Sequence, residues 1–364
     1  MNIVIIYGGQ SVEHDVSVLT ALHCAKHFSE ESTVNLVYMS RTGQMVTSGR
    51  YGILANLDFY LENRKKRKAK NCWFADKSLY KRTVFGAKKV TDIDAVMNCC
   101  HGGAGEDGRL AAFFDVIGIP VTSCDMVSAH AMQSKSRTRE VLTANGFAQP
   151  KFVTVMKGQK PDLETAGFDF PVIVKPDTLG SSIGISVANT QAELDDALEL
   201  AFTLDNIAII EEFLENATEV NCSAFRYGMM LTSACEVINK SGDMFDFDTK
   251  YLDAGSGFVK KSNSAPKEEY KHADEIKKLA ATAYDIFGAS GVARADFLVV
   301  GDRIFLNEIN TVPGFMAYHL WQGVGLPYTT LLEMMIKSAI EKPKKVQKTD
   351  FSSEILQKNR ILVQ

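Results

Sequence analysis

The sequence predicts an α/β chain with α+β character toward its C-terminus, and three observations carry that prediction. Residues 2–7 form a short apolar, β-branched run that ends at Gly8-Gly9, as a buried parallel strand does. Helical spacing follows through Val16, Leu19, Leu22 and Ala25. A second strand at 34–39 and a third at 93–98, which ends at Cys99-Cys100-His101-Gly102-Gly103, repeat the pattern. Strands that alternate with helices imply a parallel sheet. Functional groups in such sheets gather at the carboxyl ends of the strands, where Gly8-Gly9 and His101 both fall.

The remaining elements are expected in order. A helix over 108–117 and a strand at 119–122 close the first unit. Residues 40–90 lack a regular pattern and include the basic run Arg64-Lys65-Lys66-Arg67-Lys68-Ala69-Lys70. That run reads as a solvated turn or as a nuclear-targeting or RNA-binding segment; the acidic net charge and the lack of interleaved aromatics favour the turn. A helix over 127–145, strands at 152–155 and 172–175, and a helix over 191–204 make the middle section. Strands at 207–211 and 219–225, a charged helix over 267–287, strands at 291–300 and 303–308, and a helix over 328–340 make the last. Beyond Pro343 the chain reads as a polar tail. The expected division is 1–124, 125–207, 208–343 and a tail at 344–364.

Bulk properties narrow the function. The chain has 364 residues, which suggests two to three domains. It is 46% hydrophobic and 23% charged, ordinary for a globular protein. A net charge of −4 argues against nucleic acid as the main partner. Seven cysteines, an odd number without a C-x-x-C pair, argue against a disulfide framework and against a cysteine zinc site. The start has no basic region or cleavage site of a signal peptide. No stretch approaches the roughly 18 apolar residues of a membrane span. The expectation is a soluble, cytoplasmic protein without nucleic-acid or membrane partners.

Several constellations could carry chemistry. A strand delivers Lys175, and Pro176-Asp177-Thr178-Leu179-Gly180-Ser181-Ser182-Ile183-Gly184 follows as a loop rich in glycine and serine. Its N–H groups and hydroxyls could wrap phosphate oxygens beside the lysine charge, or it could be a plain surface loop. It is not a Walker loop, since G-x-x-x-x-G-K-[ST] is absent. Two apolar strands around the turn Gly301-Asp302 form a hairpin that brings Asp296 toward Glu308 and Asn310. Three oxygen donors without His or Cys suit Mg²⁺ carrying nucleotide phosphates; ordinary exposed charges are the alternative. Glu211-Glu212-Phe213-Leu214 with Glu219 could read an adenosine or be an acidic turn. Lys250-Tyr251, Gly8-Gly9-Gln10-Ser11-Val12-Glu13 and the His101 to Gly108 loop complete the set. The first strand is not followed by G-x-G-x-x-G, which disfavours a dinucleotide.

Together these residues resemble the D-alanine–D-alanine ligase family. The matching pieces are Gly8-Gly9 with Ser11, Glu13 and Val16-Ser17; His101-Gly102 with Gly105-Glu106-Asp107-Gly108; Lys175-Pro176 with Gly180-Ser181-Ser182-x-Gly184; Lys250-Tyr251; Arg294-x-Asp296; and Asn307-Glu308-x-Asn310-Thr311-x-Pro313-Gly314-Phe315. They occur in family order over about residues 1–341. The resemblance implies an ATP-grasp fold with an N-terminal Rossmann-like domain, a small central domain and a C-terminal domain, with ATP between the last two. It implies that Lys135 and Lys175 hold phosphates, with Ser182 of the loop among the nucleotide contacts. Glu211, Leu214 and Glu219 would hold adenosine, and Lys250 would touch the γ-phosphate. Asp296, Glu308 and Asn310 would hold two Mg²⁺, which Mn²⁺ could replace. Glu13 would take the ammonium of the first D-alanine in a network with Ser181 and Tyr251, near His101. Arg294 and the backbone at Gly314 would face the oxyanion. His319 and Leu320 would meet the second substrate. The implied reaction joins two D-alanines through an acyl phosphate for peptidoglycan synthesis, and a homodimer is expected.

Departures from the family pattern bear on the acceptor. Ser134 stands where Asp is usual, Arg109-Leu110-Ala111-Ala112 lacks a Gln-Gly, Ser123 replaces Gly, and His319-Leu320 falls at a usual Ser-Leu. The alternative is a related ligase with another acceptor such as D-serine. Tyr251 goes with an amino-acid acceptor in the family, where ligases using D-lactate have His.

Overall fold

The fold is given by a computed structural model, which describes residues 1–49, 70–238 and 270–342. Strand β1 (Asn2–Gly8), helix α1 (His14–His27) and strand β2 (Thr33–Met39) form the first unit. Strands β3 (Met45–Gly49), β4 (Lys70–Ala75), β5 (Ser78–Thr83), β6 (Gly86–Asp92) and β7 (Ala95–Asn98) complete one sheet, and helix α2 (Arg109–Val116) follows. Its strand order is β6-β5-β4-β3-β2-β1-β7. β1 runs parallel to β2 and β7, and Ile3 through Tyr7 are wholly buried between helical layers, which is why they read as one unbroken apolar run.

Two expectations fail here. The patternless 40–90 stretch contains an antiparallel meander, β3 to β6, whose β6 has the exposed, charged sequence GAKKVTD. With little of it buried, no hydrophobic alternation marks it. The strand expected at 119–122 reduces to a single bridge between Val96 and Val121.

The second sheet is small and antiparallel. Helices α3 (Met126–Gln133) and α4 (Lys135–Ala144) precede strand β8 (Phe152–Met156), helix α5 (Leu163–Ala166), strands β9 (Val172–Pro176) and β10 (Ser186–Ala188), helix α6 (Gln191–Leu204) and strand β11 (Ile207–Glu212). The order is β10-β9-β11-β8. β11 lies beyond the boundary expected at 207, yet it sits inside this sheet. The single helix expected over 127–145 is two: Ser134 adopts extended geometry and its hydroxyl accepts from the Arg137 N–H, capping α4. Val172, Val174 and Ala208 pack under α6, so Lys175 and Glu211 occupy the opposite face.

The third sheet holds β12 (Thr218–Tyr227), β13 (Met229–Ile238), β14 (Ala293–Val300) and β15 (Arg303–Asn310), in the order β13-β12-β14-β15. Helix α7 (Ala273–Ile286) covers one face over Val220, Cys222, Ala295 and Phe297. Helices α8 (Tyr318–Gln322) and α9 (Tyr328–Glu341) return to the first sheet, where Leu320, Trp321, Leu331 and Ile336 share a core with Ile3, Ile5 and Val18. Each such buried aliphatic stabilises by roughly 1.5–3 kcal/mol. Among the described residues, no helix is long and apolar enough to cross a membrane.

Candidate active site

The polar faces of the second and third sheets meet across a cleft. Lys175 Nζ donates to Glu211 Oε2 at 2.6 Å and to Asn307 Oδ1 at 3.2 Å, so it bridges the two sheets. Arg139, wholly buried on α4, pairs with the other Glu211 oxygen and donates to the carbonyls of Leu306 and Asn307 at 2.8 Å each. Burial works to raise the Glu211 carboxyl, but the charges of Arg139 and Lys175 outweigh it and bring it down to about 2. Lys135 is buried too, with its ammonium donating to the carbonyls of Pro176, Asp177 and Leu179. Burial lowers its pKa, while the charge of Glu308 pulls the other way. Lys135 lines a cleft with Gly180, Asn307, Glu308 and Asn310, and Lys175 reaches that cleft through its hydrogen bond to Asn307.

Ser134 also has a structural explanation. Asp177, after β9, accepts from Ser134 Oγ at 2.6 Å and from the Ser136 N–H at 2.7 Å. A carboxylate thus reaches the start of α4 from the loop instead of from residue 134.

The β14–β15 hairpin turns at Gly301-Asp302, as the sequence predicts. Its ladder pairs Asp296 with Glu308 and Arg294 with Asn310, with a bulge after Asp296. Asp296 is buried, and Arg294 grips it with two 2.7 Å hydrogen bonds; the Asn310 amide donates to it at 3.0 Å. Among the described residues, no group of three or more His, Cys, Asp or Glu side chains is gathered for a metal. The donors here are two carboxylates and an amide. That hard-oxygen set fits Mg²⁺, which keeps few protein ligands and completes its shell with phosphate oxygens and water.

Across the cleft, the Ser181 hydroxyl donates to Glu13 Oε1, so the glycine-serine loop already touches the first unit. Ser181 and Ser182 both have φ near +57°, left-handed values that L-residues adopt at a strain cost. Gly102 has φ +65°, and a Cβ there would lie 2.7 Å from Glu13 Oε2 and 2.3 Å from Ser11 Oγ, so only glycine fits. Glu13 has its carboxyl pKa raised, first by burial and then by the charge of Glu106; the Ser181 hydrogen bond works against both. His101 is buried, with Nε2 at 2.8 Å from Thr20 Oγ1 and Nδ1 at 3.5 Å from Glu106. The Thr20 hydroxyl also accepts from the Phe315 N–H at 3.2 Å. It thereby holds the turn after Gly314, where Phe315, Met316 and Ala317 all have φ above +50°.

At the far end, His319 Nε2 lies 3.0 Å from Glu236 Oε2, and Leu320 has its side chain in the core. Leu214, Glu219 and Ser182 are half-buried. Lys250 and Tyr251 lie outside the described residues, as does most of the 64–70 basic run. The structure brings Glu13, Ser181 and His101 together, and likewise Lys175 with Glu211 and Arg294 with Asp296. Arg139, Asp177, Thr20, Asn221 and Glu236 were not foreseen as site residues. Arg139 sits on an otherwise polar helix, where an arginine reads as surface, so only its tertiary contacts reveal it.

Comparison with known proteins shows the family. Residues 2–124 match the family model described as D-ala D-ala ligase N-terminus, and residues 141–337 the one described as D-ala D-ala ligase C-terminus. The chain belongs to the D-alanine–D-alanine ligase family. Its relatives include a D-alanine–D-alanine ligase of Thermosipho melanesiensis, 30% identical over 357 residues that cover 96% of this chain and 97% of the relative. One from Enterococcus hirae is also 30% identical, covering 94% and 97%. The solved D-alanine–D-alanine ligase of Coxiella burnetii superposes with a TM-score of 0.79 at 22% identity, covering 100% of this chain and 98% of that one, a likeness of fold. The VanG D-Ala:D-Ser ligase of Enterococcus faecalis gives a TM-score of 0.76 at 26% identity, covering 93% and 99%. The mixed α/β fold of this chain is the ATP-grasp fold of the D-alanine–D-alanine ligase family.

Proposed function

We propose that the chain is an ATP-dependent ligase that joins two D-alanines into D-alanyl-D-alanine for peptidoglycan. The observation that carries this reading is Glu13, hydrogen-bonded by Ser181 and close enough to Glu308 to feel its charge, beside a hairpin that pairs Glu308 with Asp296 and sets Arg294 on Asp296. A carboxylate is a poor electrophile, so ATP must activate it. Glu13 takes the ammonium of the first D-alanine and directs its carboxylate toward the γ-phosphoryl group. The P–O bond to ADP breaks as the acyl phosphate forms, with Lys135 and Lys175 neutralising phosphate oxygens. The amine of the second amino acid attacks the carbonyl, and the tetrahedral oxyanion faces Arg294 and the backbone at Gly314. Phosphate then leaves.

Asp296, Glu308 and Asn310 would hold the pair of Mg²⁺ or Mn²⁺ ions that the family implies, and the metal would supply further neutralisation of the phosphate oxygens. Arg294 turns its guanidinium from Asp296 to the oxyanion as that charge develops. Ser182, Glu211, Leu214, Glu219 and Lys250 complete the nucleotide contacts in this proposal. Glu211 acts through Lys175, because both its oxygens are already engaged. Tyr251 joins the Glu13–Ser181 network, and His101, His319 and Leu320 serve the substrates. The loop at 177–186, brought against Glu13 by Ser181, keeps water from an intermediate that hydrolyses.

The proposal includes a cytoplasmic location, which suits seven unpaired thiols, and a homodimer, for which exposed Phe113 and Val116 on α2 offer an apolar surface. D-Serine as acceptor is the second reading, favoured by His319 and by the likeness to VanG. One assay decides. The chain is incubated with Mg-ATP, D-alanine and a panel of D-amino and D-hydroxy acids, and products are identified by mass. D-Alanyl-D-alanine with stoichiometric ADP is expected. ADP release that ignores added D-alanine contradicts the proposal.

A further inference from the structure

The cleft face of the third sheet carries a row that the reaction above does not use in full. Ladder pairing sets Glu236 opposite Asn221, Asn221 opposite Asp296, and Asp296 opposite Glu308. Residues opposed in a ladder point to one face. The other face is closed under α7 by Cys235, Cys222 and Ala295, so these four side chains share the polar side. Asn221 is 7% exposed, and among the described residues its Oδ1 has no hydrogen-bond partner. Its ladder neighbours are carboxylates, which have no proton to give when ionised. A buried carbonyl oxygen between two acids calls for a donor that the described residues do not supply.

Glu236 is itself nearly buried and is held from α8, where His319 Nε2 donates to its Oε2 at 3.0 Å. Asp296 lies two strands away, roughly 10 Å at about 4.8 Å per strand. Arg294, gripping Asp296, stands on the same face.

We infer that Asn221 and Glu236 form the subsite that receives the amine of the second amino acid, with His319 as the residue that positions Glu236. The inference rests on the ligase reading and supplies what it lacked, a partner for the attacking nitrogen. The second amino acid arrives as an ammonium, which offers three donors and a positive charge to the Asn221 oxygen and the Glu236 carboxylate, and its nitrogen attacks once one proton has passed to that carboxylate. A D-2-hydroxy acid offers one donor and no charge, so the same site discriminates against it. A site built to hydrogen-bond a substrate group rejects the analogue lacking it far more strongly than an apolar pocket does.

The test uses the full chain with Mg-ATP and D-alanine, resolving the donor and acceptor constants from the saturation curve, with D-lactate present in a second series. Wild type that forms no dipeptide overturns the ligase reading and this inference together. Given a competent wild type, Glu236→Gln should raise the acceptor constant roughly tenfold or more. It should leave the donor constant and the KM for ATP within twofold, and raise the depsipeptide-to-dipeptide ratio. Asn221→Ala should do the same more weakly, and it has no Oδ1 hydrogen bond to lose if Glu236→Gln folds poorly. His319→Ala should follow Glu236→Gln, and His319→Gln, which keeps a donor for Glu236, should restore the acceptor constant. An acceptor constant unmoved in both Glu236→Gln and Asn221→Ala, or a change confined to the donor constant, overturns the subsite while leaving the ligase reading intact.

Discussion

On the nucleotide side of the cleft, Glu211 has each oxygen occupied, by Arg139 and Lys175, and Lys175 reaches on to Asn307. On the acceptor side, Asn221 Oδ1 meets no donor among the described residues, and its neighbours in the row are Glu236 and Asp296. The first arrangement is closed. Its charges fix one another, and the lysine keeps its place before any phosphate arrives. The second is open at one point: Glu236 and Asp296 are engaged by His319 and Arg294, while the Asn221 oxygen between them is left for a substrate. The difference separates preorganisation from recognition within about one sheet width.

The largest expected effect breaks the closed side. Glu211→Gln leaves Arg139 and Lys175 buried without their counter-charge, and removing one partner of such a network typically destabilises by about 3–5 kcal/mol. Thermal unfolding should show a clear fall in Tm. The depressed Glu211 carboxyl adds stability that is present above its unfolded value of 4.5 and is lost as pH falls toward about 2. The variant should lack that acid limb. An unchanged Tm would mean the network is not structural.

Arg294→Ala tests the junction of the two sides. Removing a donor aimed at the oxyanion should lower kcat roughly 10²–10³-fold. ATP affinity by calorimetry should change little. An equal loss in ATP affinity would make Arg294 a nucleotide residue.

A smaller effect concerns Glu13, which must be ionised to hold an ammonium. Its carboxyl, raised first by burial, moves the acid limb of the rate to higher pH than an unperturbed carboxylate would give. Ser181 lowers that carboxyl through its hydrogen bond, so Ser181→Ala should move the limb to higher pH. A limb that stays put or moves down would separate Ser181 from Glu13. The smallest effect lies away from the cleft: Arg226→Ala, which breaks the half-exposed pair with Asp285, should shift stability by at most about 1 kcal/mol.

What the sequence made legible follows from how each residue earns its place. β1, α1 and the β14–β15 hairpin announce themselves because one period governs a long run of burial. Lys175, Arg294 and Asp296 were legible because a strand end or a hairpin fixes them locally. Arg139, Thr20 and Glu236 were not, since each works through a contact more than 70 positions away that no local spacing encodes. The β3–β6 meander hid for another reason: its strands are short and partly solvent-facing, so the hydrophobic alternation is diluted by lysines. Ser134 shows how a residue that looks like a loss can be offset from elsewhere, here by Asp177 reaching in from the loop.

The most direct test is anomalous diffraction from crystals grown with Mn²⁺ and a non-hydrolysable ATP analogue. Manganese should appear between the triphosphate and the side chains of Asp296, Glu308 and Asn310, with Lys135 and Lys175 on the phosphates. Nucleotide bound outside the cleft, or metal away from that hairpin, would contradict the account.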